Sequence, residues 1–137
     1  MYNIFMPIGE KTATKKLKGG QLNLKEKVLN FLGEILVFGP IRVKLGLNYG
    51  RCVYTGGAAI GPEIFTYFHA LGIEVKQVYG QTEICGIAVI HPNGEVRPET
   101  VGKPVPGVEL KIDEQGEILF KSKGVFKEYF LNEEATQ

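Results

Sequence analysis

The sequence has 137 residues, 44% of them apolar and 23% charged, with 18 glycines and seven prolines. A chain of that size and composition supplies one globular core, which excludes a disordered or fibrous protein. A formal net charge of +1 lacks the basic excess that phosphate-backbone binding demands, so no nucleic-acid partner is expected.

The opening stretch "MYNIFMPIGEKTATKK" does not place charge ahead of an apolar core as a secretory leader does. No apolar run approaches the ~20 residues of a membrane span. A cytoplasmic location is expected. Residues 9–20, "GEKTATKKLKGG", carry four lysines and three glycines without a period. Residues 1–21 therefore read as a flexible basic loop, with peripheral contact to an anionic membrane as a further expectation. Next, Leu24, Val28, Phe31, Leu32 and Ile35 follow the i, i+4, i+7, i+8, i+11 spacing of one helical face. Gly39 and Pro40 should end that helix and allow a short second one through Ile41, Val43 and Leu45, closed near Gly46. Both read as packing elements.

The grammar changes at residue 51. Residues 51–55 favour a strand, Gly56 and Gly57 break it, and Pro62 suits the first turn of a helix, where its missing N–H costs nothing. That helix would put Ile64, Phe65, Phe68 and Leu71 on one side and end at Gly72, before a second strand over Ile73 to Val78. Strand, glycine loop, helix, strand gives two parallel strands with a right-handed crossover. Ligands in such sheets bind beyond the carboxyl ends of the strands, where loops 56–61 and 79–86 both fall. After Glu83, β-like runs at 85–90, 107–112 and 116–121 are separated by the turn sequences "HPNGEVRPE" and "DEQG". The expected class is α/β: a parallel β-α-β unit flanked by helices over 22–84, continuing into short antiparallel, barrel-like strands over 85–137.

Cys52 and Cys85 lie 33 residues apart with no CxxC pair, and read as reduced, partly buried thiols. His69 and His91 read as structural or solvent-facing. The chemistry concentrates in "TGGAA" and "YGQTE". Gly56 and Gly57 let backbone approach a flat ligand, Tyr79 offers a stacking face, and Thr82 offers a hydroxyl donor to a phosphate oxygen. Glu83 suits a Mg²⁺ held by one carboxylate, phosphates and water. A double glycine is more often a turn, and a Thr-Glu pair is often a helix start. Taken together the residues describe a purine-nucleotide and metal half-site.

The order strand, "GGA", helix, strand, "YGQTE", then "ETVGKPVPGVELKI" and "GEILFKSKGVFKEYFLNEEAT", resembles that of the acyl-adenylate-forming (AMP-binding) enzymes over residues 22–136. The lead-in "LVFGPIRVKLGLNYGRCVYTGGAAIGPEIFTYFHALGIEV" is most similar to the long-chain fatty acid CoA ligases. The resemblance implies the acetyl-CoA synthetase-like fold and two half-reactions. A fatty acid carboxylate attacks the α-phosphate of MgATP, and the CoA thiol then displaces AMP. It also implies that Gly57, Ala58 and Ala59 line the adenine and acyl carboxylate region, Tyr79 stacks on adenine, and Gly80 leaves room for the adenylate. Gln81 joins the nucleotide site, Thr82 holds a phosphate oxygen and Glu83 binds Mg²⁺, so that Thr82 and Glu83 are the catalytic candidates. ATP or AMP, Mg²⁺ and CoA are the implied cofactors and co-substrates.

The family's Ser/Thr/Gly-rich phosphate loop is missing ahead of residue 22. Its ribose-binding aspartate and its lid lysine are missing after "NEEAT". The chain is therefore expected to be an internal slice of the large N-terminal domain, inactive alone and prone to self-association through uncovered surface. Two alternatives stand beside this reading. One is a truncated, non-catalytic nucleotide-binding or interaction module; the other is a ligase for a different carboxylic acid or a luciferase-like enzyme.

Overall fold

In the computed structural model, which describes residues 1–136, the expected basic loop is instead a helix, α1 (Tyr2–Leu17). Met6, Gly9, Thr12 and Ala13 recur every one to three residues along it, and all four are buried. Three of them are small or weakly apolar, so the stripe gives little hydrophobic signal while letting neighbours approach closely. A Cβ on Gly9 would lie 2.7 Å from the Phe38 ring, and a Cβ on Gly33 would lie 2.7 Å from another atom of the same ring. Phe38 thus fills the space that two glycines leave between helices. Of the basic residues, Lys11, Lys16 and Lys18 are exposed, whereas Lys15 bonds Glu26 at 2.8 Å.

Helix α2 (Leu24–Gly33) starts with a reciprocal cap: Asn23 Oδ1 accepts from the Glu26 N–H, and the Glu26 carboxylate accepts from the Asn23 N–H, each at 2.9 Å. Gly39 and Pro40 do not stop the helical path. A π-turn, Glu34–Phe38, leads directly into α3 (Gly39–Lys44), and the Gly39 N–H donates to the Glu34 carbonyl five residues back. The wider turn absorbs the proline's missing donor and re-aims the chain. The stripe from Leu24 to Ile35 is also corrected. Leu24 is 78% and Phe31 63% exposed, while the packed side carries Gly33, Val37 and Phe38. Arg42 of α3 donates to the Glu34 carboxylate and to the Leu71 carbonyl, tying the π-turn to the end of the next helix.

The β-α-β unit forms as the sequence predicts. Strand β1 (Val53–Thr55) runs parallel to β2 (Val75–Tyr79), with Val53 opposite Val75 and Thr55 opposite Gln77. Between them α4 (Pro62–Ala70) packs against α1, with Phe65 and, just past its end, Leu71 fully buried; Ile64 is exposed rather than inward. Strands β3 (Val89–Ile90) and β4 (Lys103–Pro104) continue the same sheet antiparallel, in the order β1-β2-β3-β4. The sheet therefore crosses the division expected at residue 84. The β-like run at 85–90 shrinks to its last two residues because Cys85 adopts a left-handed conformation with φ 56°. Strands β5 (Glu109–Ile112) and β6 (Ile118–Lys121) form a separate hairpin, and α5 (Glu133–Thr136) is a single final turn.

Both histidines are structural. His91 is buried against Phe65, and its Nδ1 accepts from the Gln77 N–H at 3.0 Å. That bond requires the proton on Nε2, which lies 3.2 Å from the Thr100 hydroxyl. His69 stacks on Phe65 and places Nε2 2.9 Å from the Val75 carbonyl. The cysteines depart from expectation: Cys52 and Cys85 are both free and exposed.

Candidate nucleotide site

Parallel pairing sets the level of the two turns. Thr55 stands opposite Gln77, so the chain leaves β1 at Gly56 beside Val78 and leaves β2 at Tyr79 one step further on. A Cβ on Gly56 would lie 2.6 Å from the Val78 side chain, so the first glycine is needed for contact between the strands rather than for a ligand. Gly57, at φ +83°, faces open space, and Ala58 and Ala59 beyond it are exposed. Loop 56–59 and turn 79–83 therefore share one edge of the sheet, as the sequence predicts.

The second turn is built tightly. A Cβ on Gly80 would fall 1.5 Å from the Gly86 carbonyl oxygen. The space that a side chain on Gly80 would need is thus taken by the chain's own backbone. The chain then coils into a short 3₁₀ turn, Thr82–Ile84, with the Gln81 carbonyl accepting from the Ile84 and Gly86 N–H groups. Ile84 plugs into a small core with Ala88 and Val89, against which Tyr79, Leu110 and Phe120 pack. The Tyr79 ring is half-buried, 6.2 Å from Phe120 by centroid, and its hydroxyl takes a 3.1 Å bond from Gln81 Nε2.

With Ile84 anchored, its neighbours face outward. Thr82 is exposed. Glu83 Oε1 accepts a hydrogen bond from the Tyr129 hydroxyl, which holds the Glu83 carboxyl below the usual carboxylate range and pushes the Tyr129 phenol up. Phe126 N–H donates to the Glu83 carbonyl at 2.8 Å. Tyr129 and Phe126 are partners that the sequence reading did not find; 46 residues separate Tyr129 from Glu83, and no local spacing signals the contact.

No three His, Cys, Asp or Glu side chains gather to hold a metal among the described residues. Glu83 fits only a metal that draws most of its ligands from elsewhere. Mg²⁺ is such an ion, commonly held by one or two carboxylates with phosphates and water completing the shell.

A family model described as "AMP-binding enzyme" matches residues 9–130. A long-chain-fatty-acid–CoA ligase of Mycobacterium bovis is 37% identical over 101 residues, which is 74% of this chain and 17% of the relative. A long-chain-fatty-acid–CoA ligase of Xenopus laevis is 34% identical over 135 residues, 94% of this chain and 18% of the relative. The chain thus spans under a fifth of the length of these curated relatives. Among solved structures, an anthranilate CoA ligase in complex with anthranoyl-AMP aligns with a TM-score of 0.59 and 27% identity, over 66% of this chain and 20% of that one. A benzoate CoA ligase from Burkholderia xenovorans aligns with a TM-score of 0.57 and 30% identity, over 63% and 20%. The mixed α/β arrangement is the one these ligases share.

Proposed function

The chain belongs to the AMP-binding enzyme family, and on that premise we propose that it forms the nucleotide half-site of an AMP-forming acyl-CoA ligase whose acid is a long-chain fatty acid. The observation that carries this reading is the meeting of loop 56–59 and turn 79–83 at one sheet edge, with Thr82 and Glu83 turned outward by the anchored Ile84.

In the proposed reaction a carboxylate oxygen of the acid attacks the α-phosphorus of ATP, and pyrophosphate leaves. The CoA thiol then attacks the acyl carbon and AMP leaves, giving the thioester. The substrate supplies the nucleophile, so the protein has to bind, orient and stabilise charge. The ring of Tyr79 takes the adenine face, while Gly57, Ala58 and Ala59 line the adenine and the acyl carboxylate. Gln81 fixes the Tyr79 hydroxyl, and Thr82 donates its hydroxyl to an α-phosphate oxygen, where negative charge builds in the transition state. Glu83 would hold Mg²⁺, which when bound neutralises phosphate charge. These 137 residues by themselves are expected to form no CoA ester.

The long-chain assignment is supported by the names of the relatives at 34–37% identity. A ligase for another carboxylic acid is the second reading, since the aligned solved structures include anthranilate and benzoate ligases. Non-hydrolysable adenylate analogues separate the two: tighter binding of a long alkyl ester analogue supports the first, and equal or tighter binding of a benzoyl analogue supports the second. The proposed setting is the cytoplasm, with Lys11, Lys16 and Lys18 of α1 touching an anionic membrane. No helix among the described residues is long and apolar enough to cross a membrane.

Titration calorimetry with AMP tests the half-site. Tyr79→Ala should weaken binding by about 10-fold, the scale of one base stacked on an aromatic ring. Thr82→Val should weaken it by a similar factor, as expected for a hydrogen bond to a charged group, about 1.5–3 kcal/mol. A folded parent chain that releases no heat with AMP, or binding indifferent to both changes, would remove the proposal.

A further inference from the structure

Glu83 is held at two points by a segment far from it in sequence. The Phe126 N–H donates to its carbonyl at 2.8 Å, and the Tyr129 hydroxyl donates to its Oε1. Tyr129 is itself fixed. Its ring meets Phe126 edge-to-face at 4.7 Å between centroids, and its N–H donates to Thr136 Oγ1 at 3.1 Å. The Thr136 hydroxyl in turn donates to the Asn132 carbonyl at 2.7 Å, and Asn132 Oδ1 accepts from the Ala135 N–H at 3.0 Å. Residues 126–136 therefore form an arm folded onto the turn that carries Thr82 and Glu83. The arm holds that carboxylate at Oε1, and the Glu83 backbone N–H gives the carboxylate a second bond.

Resting on the nucleotide reading above, we infer that Tyr129 is a positioning residue: by bonding Oε1 it fixes the orientation in which the Glu83 carboxylate meets the metal that accompanies the nucleotide's phosphates. A carboxylate free to rotate would have to lose that freedom on meeting the metal. One already bonded on one side meets it with part of the ordering done, as partners of metal ligands commonly achieve. Mg²⁺ dehydrates reluctantly and keeps several waters, so a site offering it one protein carboxylate depends strongly on how that carboxylate is aimed. The arm also gives the segment after the β5–β6 hairpin a direct role at a turn 46 residues away. Tyr129 touches neither nucleotide nor reacting atoms in this scheme; it acts through Glu83.

The test uses the whole chain with ATP, and Mn²⁺ as a paramagnetic probe read by broadening of amide resonances near Glu83. Tyr129→Phe keeps the ring against Phe126 and removes only the hydroxyl. The expected result is a Mn²⁺ midpoint raised about 10-fold or more in the presence of ATP, with metal-free AMP affinity unchanged. A merely structural tether would lower stability in urea without moving the metal midpoint. An unchanged midpoint in a variant that still binds AMP overturns the role of Tyr129 while leaving the nucleotide site standing. Failure of the parent chain to bind AMP overturns both.

Discussion

The two turns that follow the parallel strands differ in how far the chain's own atoms fix them. The turn after β2 is over-determined: Gly80 abuts the Gly86 carbonyl, Ile84 is anchored in a core, and Glu83 is held through both its backbone and its carboxylate. The turn after β1 is loosely bounded: past Gly56, which presses on Val78, Gly57 faces open space and Ala58 and Ala59 are exposed. One sheet edge thus pairs a rigid wall, suited to charge that must be met at fixed distances, with an open wall that can follow the outline of a ligand. Preorganisation is useful where charge develops.

The sharpest way to break this contrast is to add one methyl group on each side. Gly80→Ala forces a Cβ onto backbone that cannot swing away, and should cost about 3 kcal/mol or more, read as a fall in the urea midpoint. Gly57→Ala meets no atom and pays only for its positive φ, about 1 kcal/mol. Equal losses for the two would deny the difference between the turns. Between these extremes, Gly33→Ala presses on the Phe38 ring, which has some freedom to move, and should cost about 1–3 kcal/mol.

A smaller effect comes from pH, through the sheet on which both turns stand. Burial lowers the pKa of both His69 and His91, so each stays neutral in the fold at pH values where it is already protonated in the unfolded chain. Below the ordinary histidine value of about 6.5 the unfolded state binds more protons, and stability falls as the pH drops. Protonation of His91 would also place a second donor against the Gln77 N–H. Urea midpoints should be level above neutrality and decline below it; a midpoint that rises on acidification contradicts the assignment. The smallest change is expected from Phe31→Ser, at an exposed site, which should leave stability within about 0.5 kcal/mol while reducing concentration-dependent self-association in sedimentation velocity.

The β-α-β unit was legible because each of its signals is local: Pro62 opens the helix, Gly72 follows its end, and Phe65 and Leu71 carry the buried face. The helical layer was not, because its packing uses small residues. Gly9 and Gly33 look like loop and helix-breaking signals, yet they admit the Phe38 ring, and the apolar face that is conspicuous in α2 stays uncovered. The π-turn at Glu34–Phe38 defeated the usual reading of Gly39-Pro40 by supplying a wider turn. At the candidate site, Tyr79 to Glu83 are contiguous and could be found. Tyr129 reaches Glu83 only through the tertiary fold, and Gly80 shows its constraint only when the Gly86 backbone is in place.

The most direct test of the account is an amide NMR titration of this chain with AMP and with a non-hydrolysable acyl-adenylate analogue, in the presence of Mg²⁺. The account predicts shifts concentrated in residues 56–60 and 79–86, with smaller ones in 126–130 through the arm that holds Glu83. A well-dispersed spectrum that does not move, or shifts centred on the exposed face of α2, would contradict it.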